Sequence, residues 1–590
     1  MQEVNSLRIV LLENIPEDRK LREQWNALAQ SVDYPQVFYT YEWALAVQRA
    51  YRATRASMLF LAYDEEEHLR GVAALAREAG TGSISFLCAT TSDYCDFLSS
   101  TEHRQILVSN ILAELRNRGF DRITLTNLPA DSPTVAALRA TAAEFHYHLF
   151  ARTAYECSQI ALDALPRRDG KAVMPRARKW RRAVNTFGRD VPVRVEHVQS
   201  FAEAAEILPQ FALTHTGRFL ATGRIGNLAY AERRDFLAQL ARLLGEAGWL
   251  RLSVMLKGTR IVAWNYGFRF ADTWFWYQPT FDTELEKYSP GFCLLGKIIE
   301  EAAATPDIKI VDFGLGAEEY KDALANQTRE TLYVTLRRSR LANNREIVRY
   351  RVAQLAKGIP AVEDGIRRSL EWTREFRQRL RREGVFASAR RWLQGFLWSD
   401  TEVFFFEPAS DPVPEVKTAS LREIDLNDLA MAVEQYVDDP HTCTYLLRCA
   451  QRLRDSACQG YTLVDGGGKH LHFAWVTDFD RFFLSELNAV TEAPSCDCVM
   501  LFDCWTPVAQ RGEGYYGYAA AMIAQRMTER GKHPWIFSAA GNLSSVRGLE
   551  KAGFRKRYSL VRKRRLGWQR VDGEVPKIDG KKIAEVSSQV

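Results

Sequence analysis

The sequence predicts an α+β protein built of three modules, each a mixed central sheet flanked by helices. A strand, a charged or Gly-rich turn and a second strand recur three times along the chain. The copies are Met58-Leu-Phe-Leu-Ala-Tyr63 with Gly71-Val-Ala-Ala-Leu75, Leu250-Arg-Leu-Ser-Val-Met-Leu256 with Ile261-Val-Ala-Trp-Asn-Tyr266, and Tyr461-Thr-Leu-Val464 with Leu471-His-Phe-Ala-Trp-Val476. Each reads as a β-hairpin. Stretches with apolar residues at helical spacing precede them, such as Glu232 to Glu246 and Leu426 to Leu453, and an amphipathic helical stretch follows each. At 590 residues the chain is also too long for a single core.

The modules span about 1–165, 166–336 and 402–570, with a helical connector at 337–401 and a polar tail at 571–590. The connector is the most basic part of the chain: residues 337–391 hold 16 Lys and Arg against 6 acids. Trp372, Phe376, Trp392, Phe396 and Trp398 stand among those arginines. Such a helix either packs as a solvated link or rests on an anionic surface, and we expect reversible contact of 337–400 with an anionic membrane.

Composition narrows the function classes. Hydrophobic residues at 46% and charged residues at 26% describe a folding chain, and a net charge of +6 over 590 residues is too mild for a nucleic-acid binder. The first residues lack the basic and apolar regions of a signal peptide, and no run of about 18 apolar residues occurs, so the expected location is cytoplasmic. The 10 cysteines are scattered without a CxxC pair, which argues against a metal site or a disulfide framework. Gly466-Gly467-Gly468 lies between two strands with no helix after it, so it is a hairpin turn and not a phosphate loop.

The third module carries the most specific motif. Val499-Met-Leu-Phe-Asp-Cys-Trp505 reads as a strand, and the turn Thr506 to Tyr515, with Gly512 and Gly514, leads into the helical run Ala519 to Arg530. A Gly-rich turn opening a helix suits a pyrophosphate, which the free N–H groups and dipole of the helix start can hold. A strand at Trp535 to Ser538, then Asn542-Leu-Ser-Ser545 and Gly553-Phe554, follow at compatible spacing. On these residues the segment 415–570 resembles the GNAT acyl-CoA-dependent acyltransferases. The resemblance implies coenzyme A pyrophosphate on the amides of Gln510, Arg511, Gly512, Glu513, Gly514 and Tyr515, and pantetheine along Val508. It also implies contacts from Asn542 and Ser545 near the thiol. Ala509 replaces the family's Arg or Gln, and Leu549 stands where many members carry a tyrosine acid. Proton transfer therefore falls to Asp503, Tyr515 or Tyr558 as candidates.

Residues 1–336 carry other signals: Phe38-Tyr-Thr-Tyr-Glu-Trp43, Ser92-Asp93-Tyr94-Cys95-Asp96, Pro175-Arg-Ala-Arg-Lys-Trp-Arg-Arg182, Thr214-His215-Thr-Gly-Arg218, Tyr277-Gln-Pro-Thr-Phe-Asp282, Ser289-Pro290-Gly291 and Asp312-Phe-Gly-Leu-Gly316-Ala-Glu318-Glu-Tyr320-Lys321. In this order they resemble the CelD/BcsL acetyltransferases, a FemAB-style tandem of two GNAT-like units. The resemblance implies a donor groove in the second unit, with phosphate on the amides at Ser289 and Gly291. Asp312 and Lys321 follow a short apolar strand, where side chains reach a cleft, and stand as catalytic candidates with His215. Asp93, Arg218, Asp282, Glu318 and Tyr320 are the substrate-binding candidates; His215 and Arg218 lie one helical turn apart on a shared face. Leu324 and Ala325 replace an aromatic residue usual in the family.

The expected activity is transfer of an acyl group, most simply acetyl, from acyl-CoA to an amine or sugar hydroxyl within a ternary complex, without a metal. The family resemblance points to small-molecule or glycan-precursor acceptors of the cell envelope or of exopolysaccharide synthesis. Two alternatives stand beside it: one module is a non-catalytic binding domain, or the chain performs FemAB-like aminoacyl transfer from charged tRNA.

Overall fold

The computed structural model describes residues 7–168, 171–316, 318–357, 398–409, 419–455, 458–565 and 568–576. The chain divides into two compact units, one of residues 1–218 and 230–358, the other of residues 219–229 and 359–590.

The strands of the first unit are β1 (Arg8–Leu12), β2 (Arg55–Tyr63), β3 (Leu69–Glu78), β4 (Ile84–Phe86), β5 (Leu98–Ser99), β6 (Arg122–Pro129), β7 (His148–Ala161), β8 (Arg167–Arg168), β9 (Lys171–Ala172), β10 (Val193–Val198), β11 (Leu250–Lys257), β12 (Arg260–Phe270), β13 (Thr273–Phe281), β14 (Ile310–Leu315) and β15 (Gln327–Arg337). All except the small β8/β9 hairpin join one 13-stranded sheet, ordered β1-β2-β3-β4-β6-β15-β7-β14-β13-β12-β11-β10, with β5 on β3. Its helices are α1 (Arg19–Ser31), α2 (Tyr41–Tyr51), α3 (Thr101–Asn117), α4 (Pro133–Thr141), α5 (Ala177–Phe187), α6 (Phe201–Ala221), α7 (Ala231–Glu246), α8 (Pro290–Ala304), α9 (Glu319–Asp322) and α10 (Arg340–Lys357).

The sheet is two similar halves with their last strands exchanged. β7, from the first half, pairs with β14 of the second, and β15, from the second, pairs with β6 of the first. β7 and β15 then pair with each other at the centre, from Gln327↔Gln159 to Arg337↔His148. The expected boundary at 165/166 therefore lies inside one shared sheet. A sequence pattern cannot show this, because hydrophobic alternation fixes which face a strand buries and not which neighbour it takes.

In the second unit β16 (Trp398–Pro408), β17 (Ala419–Glu423), β18 (Gln459–Asp465), β19 (His470–Asp478), β22 (Cys498–Trp505), β23 (His533–Ala539), β24 (Phe554–Arg565) and β25 (Trp568–Asp572) form a sheet ordered β17-β18-β19-β22-β23-β16-β24-β25, and β20 (Arg481–Leu484) pairs with β21 (Ala489–Glu492) beside it. Its helices are α11 (Leu426–Tyr436), α12 (Pro440–Asp455), α13 (Tyr515–Glu529) and α14 (Leu543–Lys551). The stretch expected as one helix from Leu426 to Leu453 is two, because Pro440 cannot continue α11 and instead starts α12. Within β16, Phe406 joins the core under α13 while Val403 and Phe405 join the core on the opposite face, as period-2 alternation requires.

All three sequence hairpins are present, as β2/β3, β11/β12 and β18/β19. Each hairpin is followed by a parallel pair: β4 with β6, β13 with β14 and β22 with β23. Of the expected connector 337–401, residues 340–357 form α10 and 398–401 open β16, while Trp372, Phe376, Trp392 and Phe396 lie outside the described residues. The expected tail at 571–590 starts too early: Val571 and Asp572 pair with β24.

Candidate active site

In the first unit the β13–β14 ladder runs from Thr273↔Ile310 to Phe275↔Asp312, yet β13 continues to Phe281 and β14 to Leu315. The strands part beyond Asp312, which stands at the fork with 1% of its surface exposed. Three donors hold its carboxylate: Tyr94 Oη at 2.9 Å and Gln159 Nε2 at 2.7 Å on Oδ2, and the Gly314 amide at 2.7 Å on Oδ1. Burial raises the Asp312 pKa, and these hydrogen bonds oppose the rise.

Asp93 enters from the loop after β4 and lies against Gly314. A Cβ at Gly314 would collide with the Asp93 carboxylate, and Gly314 has φ +68°, so glycine is required there on both counts. The two carboxyl groups thus flank one glycine. Burial first, then the Asp312 charge, push the half-buried Asp93 up to about 7, against the pull of Lys321, Arg233 and the Leu315 amide. A carboxylate tuned to neutrality at a strand fork is suited to accept a proton near pH 7.

Lys321, 5% exposed, donates to the Leu315 carbonyl at 3.2 Å and pairs with Glu318 at 3.3 Å, so its ammonium faces the fork without a direct bond to Asp312. Tyr320 Oη accepts from Trp276 Nε1 at 3.4 Å, beside the same fork. On α7, Arg233 donates to Tyr277 Oη at 2.6 Å, and Tyr277 donates to the Thr91 carbonyl two residues before Asp93. His215 is buried on α6, and burial reinforced by Arg218 and Arg233 lowers its pKa to about 3, which keeps the ring neutral. Arg218 donates to the Pro279 carbonyl at 3.2 Å and lies 5.5 Å from the Phe281 ring, on the continuation of β13.

Asp282 is placed differently from expectation. It accepts from the Glu284 amide at 3.1 Å and pairs with Arg260, so it caps a turn at the surface. Ser289, at φ +52°, and Pro290 start α8, and Gly291 lets the Phe281 ring close onto the helix start, where a Cβ would stand 3.2 Å from the ring. Tyr94 and Tyr277 stand in motifs read from the sequence but without a role, and Gln159 and Arg233 were not picked out. Tyr94 adjoins Asp93 in a quoted motif, but Gln159 reaches the fork only through the exchange of β7.

The second unit has a fork of its own. The β22–β23 ladder ends at Leu501↔Ile536 although the strands run on to Trp505 and Ala539. At the break β22 bulges: Phe473 opposes Trp505 and Trp475 opposes Phe502, with Asp503 at φ +44°. The Asp503 carboxylate pairs with Arg452, and its carbonyl accepts from Tyr445 Oη at 2.8 Å. Tyr558 stacks on Phe405 at 4.4 Å in the core beneath β20 and β21, on the opposite face from α13. Neither of these candidates therefore points toward the α13 side of the fork. Tyr515 opens α13 and packs with Tyr516 and Cys504 against the core under that helix.

Val508 is exposed, and the amides of Gln510 and Arg511 donate to the Pro507 and Val508 carbonyls at 2.8 and 3.3 Å, so they are engaged within the turn. Gly512 and Gly514 have φ +93° and +82° with open space around them, which turns the exposed Glu513 segment into the start of α13. Asn542 caps α14, accepting from the Ser545 amide at 3.3 Å and from Ser544 Oγ at 2.9 Å. Ser545 Oγ donates to Tyr516 Oη at 2.8 Å. His472 Nδ1 meets Thr506 Oγ1 at 2.8 Å, and burial holds the ring near a pKa of about 3. Tyr516 and His472 went unnoticed in the sequence, since only the register of β19 against β22 brings them to the turn. Among the described residues no group of His, Cys, Asp and Glu could hold a metal ion.

Part of the chain matches a known family. Residues 175–322, which hold α8, Asp312 and Lys321, match the family model described as an acetyltransferase (GNAT) domain. No curated protein matches the sequence. Among solved structures, FemX shares 10% identity over 53% of this chain and 95% of its own, with a TM-score of 0.38. L-PGS from Bacillus licheniformis shares 12% over 50% of this chain and 91% of its own, TM-score 0.34. A tandem GNAT protein from the clavulanic acid biosynthesis pathway shares 13% over 56% and 98%, TM-score 0.32. On the family match, the chain carries an acyltransferase domain of the GNAT acetyltransferase family at residues 175–322.

Proposed function

We propose that the chain transfers an acyl group, most simply acetyl, from acyl-CoA to an amine or sugar hydroxyl, with the chemistry at the β13–β14 fork. The observation that carries this reading is the carboxyl pair around Gly314, in which Asp93 is tuned to about 7 and Asp312 is fixed by three donors. Asp93 takes the proton of the attacking nitrogen or oxygen as that atom bonds to the thioester carbonyl carbon. The carbon–sulfur bond then breaks, and the coenzyme thiolate leaves and is protonated. Asp312, through Tyr94 and Gln159, keeps the Asp93 carboxyl from relaxing toward a lower pKa. Positioning in the fork supplies the remaining rate enhancement. Beyond Phe275 β13 has lost its β14 partner, and that edge offers backbone to the pantetheine arm, while the α8 start at Ser289 and Gly291 offers amides to the pyrophosphate.

The second unit serves as a binding groove on this reading, because Asp503 is tied to Arg452 and Tyr558 faces the other side of the sheet. The acceptor class, an amine or sugar hydroxyl of a glycan precursor, rests on the family resemblance. The test is release of free thiol from acetyl-CoA by the full chain over a panel of amine and sugar acceptors. Asp93→Asn should abolish turnover while calorimetric acetyl-CoA binding persists. Undiminished turnover in that variant would move the chemistry elsewhere, and turnover lost in Gly512→Asp with Asp93→Asn active would place it in the second unit.

A further inference from the structure

On the first unit, between α10 and the central strands of the sheet, lies an open cavity of about 660 Å³. Arg122, Arg152, Arg337, Arg345 and Arg349 line it, with Glu346 as its one acid. Glu346 accepts from Arg337 Nε at 2.6 Å, and Arg152 lies 4.5 Å from the Tyr333 ring and 5.4 Å from the Tyr350 ring. One guanidinium is thus paired and another lies over two tyrosine rings, which leaves the cavity strongly cationic.

The same helix presents an apolar row to the outside. Leu341, Val348, Val352 and Leu355 are 73%, 58%, 57% and 76% exposed. At about 100° per residue these positions fall within an arc of about 60°, with Arg345 and Arg349 on the flank between the row and the cavity. A water-facing row of four large aliphatic side chains beside a cationic cavity has the two components of an interfacial helix.

We propose that α10 docks on an anionic phospholipid surface, with the apolar row in the headgroup–acyl boundary and lipid phosphates drawn into the arginine cavity. Charge complementarity selects the occupant: five arginines against one glutamate call for phosphate, and the adjoining row calls for a phosphate attached to an apolar phase. This surface uses only α10 and the strands beneath it. It is separate from the β13–β14 fork, so it stands whether or not the catalytic reading does. Docking would let the enzyme work on acceptors held at a membrane.

Co-sedimentation of the full chain with phosphatidylglycerol-containing and pure phosphatidylcholine vesicles tests it, at low and high salt. Binding should appear only with the anionic vesicles and fall with salt. Arg345→Gln with Arg349→Gln should weaken it roughly 30-fold, about 5-fold per arginine. Val348→Ser with Val352→Ser should weaken it comparably, and the thermal melts of both variants should match wild type because all four positions are exposed. Equal pelleting with both vesicles, none with either, or anionic binding unchanged in both variants would overturn the proposal. So would stabilisation by inorganic pyrophosphate without vesicle binding, which would mark a soluble phosphate site, or a dimer that the serine variant dissociates, which would mark the row as a contact between copies.

Discussion

Replacing Asp93 by Asn separates the two consequences of a carboxyl held at about 7. The native group keeps its proton up to that pH, whereas in the unfolded chain it is lost near 3.8, so between the two the native state binds more protons. The stability this group contributes is full below about pH 4 and is lost as the pH rises through 7. A shift from 3.8 to about 7 corresponds to about 4 kcal/mol at 1.36 kcal/mol per unit. Solvent access to the half-buried side chain and its coupling to Asp312 reduce this to about 2 kcal/mol. The Asn amide oxygen still accepts from Leu315, so the variant removes the charge and keeps the shape. Asp93→Asn should therefore melt close to wild type at pH 4 and about 4 °C higher at pH 8, by scanning calorimetry of the first transition. In the same variant kcat should fall by about 10²–10⁴, and the rise of wild-type kcat/KM with pH through about 7 should vanish. A melting difference equal at both pH values, or an unchanged rate and pH profile, would refute the reasoning.

Gly314→Ala places a Cβ against the Asp93 carboxylate at a left-handed φ, so the first unit should lose about 2–4 kcal/mol in denaturant titration and most of its turnover. Tyr94→Phe removes a donor from the Asp312 carboxylate and should cost about 1 kcal/mol; with Asp312 less readily charged, the pH–rate profile of Asp93 should move toward lower pH. His472, native pKa about 3 against 6.5 when unfolded, keeps its stabilising contribution above pH 6.5 and loses it as pH falls toward 3; His472→Gln should flatten the acid side of the second unit's stability curve, followed by tryptophan fluorescence. Trp180→Ala empties a site against Gly296 of α8 and should destabilise the first unit by about 3–5 kcal/mol, measured as a lower denaturant midpoint.

The hairpins were legible because Leu250 to Tyr266 and its counterparts alternate two dense apolar runs around a charged turn, a local signal. Asp312 and Lys321 were legible as a cluster after a short strand. Their partners were not: Gln159 and Tyr94 lie 153 and 218 residues from Asp312 and meet it through strand order, which short-range pattern does not encode. Asp503 and Tyr558 show the converse. Both types suit acid–base work, yet an arginine on α12 and a stacking ring on β16 engage them, and neither partner is near in sequence. α10 is a third case: its arginines were legible in the charge pattern, but only the facing of the helix divides them from the exposed aliphatic row.

The exchange of β7 and β15 sets a timetable for synthesis. β6 cannot gain its outer neighbour until Arg337 has left the ribosome, 176 residues after Ala161 ends β7. At about 5–20 residues per second that interval is roughly 10–35 s, during which a nascent first half carries an unpaired sheet edge. Such an edge invites pairing with another nascent chain, so yield should depend on chaperone capacity and on translation speed between codons 161 and 337. Cutting the gene at the midpoint between the halves would leave each fragment holding the strand that the other one needs.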